Sequence, residues 1–200
     1  MSASVLVIAC GALARELVAL RRLNQWHHID LACAPAELHN RPERIAPAVR
    51  AIIVRHRERY RHMFVAYADC GTRGALDALL VEFGIERLPG AHCYELFSGA
   101  ALLRELSDAE PGTFYLTDFL TRHFDRLVRR GLGLDRHPEL LPMYCGNYTR
   151  LVYLSQTDDA ALDAQARTHA AFLGLAYERH HTGLAPLGQV VAEGLTRWPS

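Results

Sequence analysis

Short unbroken apolar runs alternate with longer segments of helical spacing along almost the whole chain. VLVIAC (residues 5–10) is a continuous run rich in branched residues; Gly11 follows, and then Leu13, Leu17 and Leu20 fall on one helical face. That pattern predicts a strand, a tight turn and a helix. HIDLAC (28–33) predicts a second strand. Beyond the loop APAELHNRPE, Ile45, Val49, Ile52 and Ile53 keep helical spacing, with Pro42 near the first turn. MFVAYA (63–68) predicts a third strand, and GALDALLVEFG the next helix, closed by Gly84. IERL (85–88) reads as a short fourth strand leading into PGAHCYELFSG. TFYLTD (113–118) reads as a fifth, followed by a helix that aligns Leu120, Phe124 and Leu127. RLVYLSQ (150–156) is the sixth, trailed by a helix over 159–173 and a last strand in LAYERHH.

Strands that read as continuous apolar runs, each followed by a helix, predict a mostly parallel sheet buried on both faces. The expected fold is therefore α/β: one three-layer, Rossmann-like domain spanning residues 1–200. The segment from Gly131 to Tyr148 is the longest without a clear period, and predicts either a loop with a short helix or a lid over a site.

Composition narrows the class. Half of the 200 residues are apolar, and 22 basic residues balance 22 acidic ones. A chain of this size buries a substantial core without staples, and a balanced charge with no long block of one sign argues against nucleic acid as partner. The one basic excess, RHRERYRH (55–62), fits the solvated end of a helix, where cations are favoured. No run approaches the length of a membrane span, and no basic leader precedes VLVIAC, so no membrane is expected as partner. Five cysteines at irregular spacing suit a cytoplasmic chain whose thiols stay reduced.

In an open parallel sheet, ligands bind beyond the carboxyl ends of the strands, and reactive residues recur there. The first strand ends at Cys10-Gly11, the second at Cys33, the third at Asp69-Cys70-Gly71-Thr72, and the fourth runs into His92-Cys93-Tyr94-Glu95. Cys10, Cys70 and Cys93 are the candidate ligands of a tetrahedral, thiolate-rich zinc with one position open. Asp69, His92 and Glu95 are candidate catalytic or orienting groups. His92 and Cys93 are adjacent and point apart if the backbone is extended, so one of them at most is a ligand. Asp118, Asn147 and Tyr148 are candidates for contacting a bound cofactor or covering the site. The same residues also have plainer explanations. Asp69 with Gly71 and Thr72 is ordinary turn chemistry, Thr117 and Asp118 suit a helix cap, and Cys33 and Cys145 suit small apolar packing. His39 and His137 lie in loops able to reach the rim, though loop histidines are usually solvated. Cys70 ahead of a helix also fits a metal-free nucleophile. No Gly-x-Gly-x-x-Gly follows the first strand, which argues against a dinucleotide held in the usual way.

The motifs ACGALA (9–14), LHNRPE (38–43), YADCGTRG (67–74), LPGAHCYELFSG (88–99), PGTFYLTDFLTRHFD (111–125) and GNYTRLVYLSQ (146–156) together resemble a bacterial and archaeal family, domain of unknown function 1638. Members of that family are often encoded near corrinoid-dependent methyltransferases. The resemblance implies a corrinoid protein as partner and, with the cysteine-rich rim, methyl transfer at thiolate-bound zinc in one-carbon metabolism. Cys10, Asp69, Cys70, His92, Cys93 and Glu95 lie within the family's motifs. The expected function is thus a small-molecule enzyme with a zinc-thiolate site. The alternatives are a non-catalytic metal- or cofactor-binding accessory protein for a corrinoid enzyme, and a metal-free cysteine enzyme.

Overall fold

The structure is a computed structural model and describes residues 4–196 and 198. It is α/β throughout, and every strand pairing in it is parallel. The strands lie in two sheets where the sequence suggested one. The first carries β1 (Val5–Cys10), β2 (Ile29–Ala34), β3 (His62–Ala66) and β4 (Glu86–Arg87) in the order β2-β1-β3-β4. The second carries β5 (Thr113–Thr117), β6 (Arg150–Ser155) and β7 (Ala176–His181) in the order β5-β6-β7. The chain divides accordingly into two compact units. One comprises residues up to Leu96 together with those from Leu187 onward, and the other runs from Phe97 to Pro186.

In the first unit β1 is buried along its whole length, as the run VLVIAC requires of a central strand covered on both faces. Burying each such aliphatic side chain stabilises the fold by about 1.5–3 kcal/mol. The covering helices include α1 (Ala14–Leu23), which buries Leu17 and Leu20, and α2 (Ile45–His56), which buries Ile45, Val49 and Ile53. In RHRERYRH the helix stops at His56, a turn follows, and His62 opens β3. Helix α3 (Ala75–Phe83) buries Leu76, Leu79 and Leu80 and ends at left-handed Gly84, where the sequence predicts its stop.

Helix α9 (Ala185–Leu195) was not foreseen from the sequence. Its residues from Leu187 onward belong to the first unit. A Cβ at Gly194 would stand 2.4 Å from Cζ of Phe64, a fully buried ring on β3. Alanine gains about 1 kcal/mol in helix propensity over glycine, whereas forcing atoms into a packed core costs about 1–3 kcal/mol. An aromatic ring held within a sheet has little room to give, so Gly194→Ala is expected to lower the unfolding midpoint in urea despite its better propensity.

In the second unit Leu116, Leu151 and Tyr153 from the strands pack with Phe124, Val128, Leu162, Ala166, Ala170 and Leu173. Cys145 lies in this core and behaves as a small apolar residue, its thiol pushed up by burial. Helix α8 (Ala160–Leu173) is capped by Asp159, whose carboxylate accepts from the amides of Ala161 and Leu162. The helix expected after the fifth strand is interrupted. Helix α6 covers only Asp118–Arg122, and Asp125–Arg129 forms a π-helical turn in which the Arg130 amide reaches the Asp125 carbonyl. The aperiodic stretch Gly131–Tyr148 contains turns and one short helix, α7 (Leu141–Cys145). Helices α4 (Cys93–Ser98) and α5 (Ala100–Ala109) were likewise unforeseen. Among the described residues, no helix is long and apolar enough to cross a membrane.

Candidate metal centre

The order β2-β1-β3-β4 makes β1 the strand from which the chain winds outward in both directions. The loops after β1 and β3 therefore diverge at a switch point, where open α/β sheets leave a crevice. Gly11 brings the neighbouring β2 loop close to that crevice. A Cβ there would lie 3.1 Å from the Ala34 carbonyl oxygen and 3.4 Å from the Ala36 amide, so a larger residue would press on the backbone of that loop. The 3-10 turn Ala36–Asn40 then carries His39 inward.

The loop after β3 is held by Asp69. Its carboxylate accepts from Thr72 Oγ1 (2.6 Å) and from the amides of Arg73 and Gly74 (3.1 Å each). These hydrogen bonds, led by that of Thr72, keep the carboxyl below its usual range. Its main-chain neighbours clamp the loop sideways, with the Asp69 amide on the Gly90 carbonyl and the Cys70 amide on the Ala91 carbonyl (2.8 Å). Cys70 is thereby fixed in the left-handed region, at φ +50°. For a residue with a Cβ this is strain of about 1–3 kcal/mol, of the kind that collects at functional sites.

One imidazole nitrogen of His39 and the sulfurs of Cys70 and Cys93 all lie within 4.8 Å of one another. His39 Nδ1 bonds the Ala36 carbonyl at 3.0 Å. A carbonyl only accepts, so Nδ1 carries a proton, and Nε2 is the nitrogen left free for a ligand. Nε2 is buried without a partner. This is the arrangement a metal-binding imidazole adopts, with its other nitrogen anchored to the backbone. Cys10 sits behind the ring, its Sγ 3.8 Å from Nδ1, and accepts from the Ala12 amide at 3.3 Å. Tyr67, fully buried, stacks on His39 with ring centroids 6.3 Å apart and planes 10° apart. Its hydroxyl is buried with Cys10 as its neighbour.

The electrostatics agree with this crowding of thiols. Cys70 is lowered to about 5, chiefly by a hydrogen bond from Cys93 and then, against burial, by His39. Cys93 is raised well above the ordinary thiol range by Cys70 and by burial. Burial lowers His39, but the sulfurs of Cys10 and Cys70 outweigh it and lift the imidazole to about 11. Burial first, then Cys10 through its charge and a hydrogen bond with the phenol, and Cys70 after it, push the Tyr67 phenol up.

Of the residues singled out from the sequence, Cys70 and Cys93 meet, and Cys10 stands beside the group without joining it. Cys10 ends β1 pointing at Nδ1, the nitrogen that already has its carbonyl partner, and this explains its place in a second layer. Asp69 is occupied with its own loop. Glu95 folds back over Gly90, where an added Cβ would meet its Oε2 at 2.7 Å, and His92 is exposed. Cys33 is exposed on β2. Tyr67 is the participant that the sequence does not single out, and His39 is named there only as a loop histidine able to reach the rim. Their signal was positional: His39 lies in the first loop beyond β2 and Tyr67 directly beyond β3.

In the second unit Asp118 is fully buried and accepts from Tyr153 Oη (2.6 Å), Thr157 Oγ1 (2.5 Å) and the amides of Gln156 and Thr157. It is saturated by its own fold. Thr117 caps α6 by accepting from the Leu120 amide. Asn147 and Tyr148 are exposed, and the Tyr148 ring meets Phe114 edge-on at 5.4 Å.

A family profile described as protein of unknown function (DUF1638) matches residues 33–191. The chain belongs to this family. The matched region of this DUF1638 chain includes His39, Cys70 and Cys93, while Cys10 precedes it. No curated protein and no solved structure matches the chain.

Proposed function

We propose that His39 Nε2, Cys70 Sγ and Cys93 Sγ hold a zinc ion at the carboxyl edge of the first sheet, with the fourth position left for a small thiol. The convergence of the three donors within 4.8 Å carries this reading, and the unpartnered Nε2 supports it. Two thiolates and one imidazole would hold the ion close to neutral. The ion would supply activation of a bound small thiol as its thiolate, the acceptor for a methyl group from a methylated corrinoid carried by a partner protein, whose cobalt would keep the electron pair of the broken carbon–cobalt bond. In this scheme Ala36 and Cys10 hold the His39 tautomer, and Asp69 holds the strained Cys70 loop.

Cys70 lowered to about 5 beside His39 raised to about 11 favours one further reading, a metal-free cysteine enzyme working through a thiolate–imidazolium pair. Elemental analysis separates the two. The expected result is close to one zinc per chain in the wild type, lost in His39→Ala, Cys70→Ser and Cys93→Ser. A metal-free wild type in which Cys70 alone alkylates rapidly below neutral pH would instead establish the cysteine enzyme. Zinc binding without methyl transfer from methylated corrinoid to small thiols would assign the chain an accessory role.

A further inference from the structure

Strand β4 has only two residues, Glu86–Arg87, and pairs with β3 at two positions, Phe64 with Glu86 and Val65 with Arg87. Strands usually run to three residues or more, so the sheet fixes the chain beyond Arg87 weakly. Yet that chain has to deliver Cys93 to Cys70. The Arg87 side chain supplies what the short strand lacks. Its Nε and Nη2 form a forked pair with the Asp77 carboxylate at 2.6 and 3.0 Å, and its Nη1 donates to the carbonyls of Leu88 (2.8 Å) and Gly90 (3.4 Å). Asp77 lies in the first turn of α3, the helix that opens directly after the Cys70 loop. The Gly90 carbonyl also receives the Asp69 amide, and the Ala91 carbonyl beside it receives that of Cys70. One planar group is thus bonded to both segments that carry the thiolate donors.

Resting on the zinc reading above, we propose that Arg87 is a positioning residue for the metal centre, holding the Cys70 and Cys93 loops as one unit so that their sulfurs meet an ion at a fixed separation. A guanidinium presents its donors in a rigid plane, so a fork on a carboxylate sets direction as well as distance. Groups one step behind the ligands of an ion orient those ligands, and their loss weakens metal binding. The plainer explanation is an ion pair that only adds stability. Asp77 is half-exposed, however, and pairs reaching solvent contribute little on their own. The hydrogen bond with Asp77 above all, and then the negative charges of Asp77, Asp69 and Cys70, raise the Arg87 guanidinium against its burial, which agrees with its place beside the Cys70 loop.

Cobalt(II) titration of the metal-free protein, read by the sulfur-to-cobalt charge-transfer band, tests the assignment. In Arg87→Ala and Arg87→Lys the affinity is expected to fall about ten- to a hundredfold, the range for groups that orient metal ligands. Lysine fails with alanine because an ammonium cannot reproduce the fork. Arg50→Ala, which removes the comparable forked pair of Arg50 with Glu82, should leave the affinity unchanged. Wild-type affinity in Arg87→Lys would overturn the assignment, and so would an equal loss in Arg50→Ala, which would show general loosening instead of positioning. Hydrogen exchange in the metal-free protein gives a second reading. The Asp69 and Cys70 amides are expected to exchange faster in Arg87→Lys than in the wild type, while those of β1 stay as they were; unchanged exchange at Asp69 and Cys70 would also overturn the assignment. A wild type that takes up no cobalt would bring down the metal reading itself, and the exchange measurement would still decide whether Arg87 holds the two loops.

Discussion

Zinc supplied at about a thousand times its dissociation constant is expected to stabilise the folded chain by about 4 kcal/mol over the chelated protein. For a chain of 200 residues, each kcal/mol moves the midpoint by about 2–4 °C, so thermal melts with zinc and with EDTA should separate by roughly 10 °C. The effect is expected to be large because the three donors are assembled only in the folded state. The donors follow three different strands, brought together by the order β2-β1-β3-β4. His39→Ala, Cys70→Ser and Cys93→Ser should each abolish the separation. Cys33→Ser, at an exposed position on β2, and Cys145→Ser, in the core of the second unit, should preserve it. A separation of the same size in Cys70→Ser would place the ion elsewhere.

Asp118→Ala is expected to destabilise the second unit by about 3–5 kcal/mol, the range for removing one member of a buried charged network. Four donors converge on this carboxylate from Tyr153, Gln156 and Thr157, and Asp118 has no exposed surface. Alanine would strand the Tyr153 hydroxyl in the core and two amides just beyond the end of β6. Asp118→Asn keeps the shape and one acceptor oxygen, but turns an N–H₂ toward donors, and should cost less, about 1–3 kcal/mol. Trp26 and Trp198 both belong to the first unit, so tryptophan fluorescence is the wrong probe. Hydrogen exchange at the β5 and β6 amides reports the loss directly, and unchanged protection there would refute it.

The strands were legible because they are central or buried. VLVIAC and RLVYLS fill their positions with apolar side chains, since both faces of each strand are covered. The break into two sheets was not legible, because strand pairing is a property of the folded chain and the period of a segment does not name its neighbour. The long helical tract between β4 and β5 was the available hint. Its turn residues Pro89, Gly90 and Gly99 masked α4 and α5. At the site, the expectation that thiols gather on one edge rested on topology alone, and the edge does bring Cys70 to Cys93. A strand-end residue such as Cys10 has less reach than a loop residue, a difference that the sequence does not display. A histidine in a polar loop, as His39 is, resembles a solvated one. Only the close approach at Gly11 and the Ala36 carbonyl turn it inward.

The three donors follow three strands that are successive in the chain, so an ion held there would also be a cross-link, closing the chain between His39 and Cys70 and again between Cys70 and Cys93. The entropic cost of closing loops grows only slowly with their length, and the folded sheet has already met it, so metal capture would add little to it. By removing that cross-link, chelation should loosen the β2, β3 and β4 loops together as one cooperative segment, and the carboxyl edge of the first sheet should exchange its amides sooner than the opposite edge.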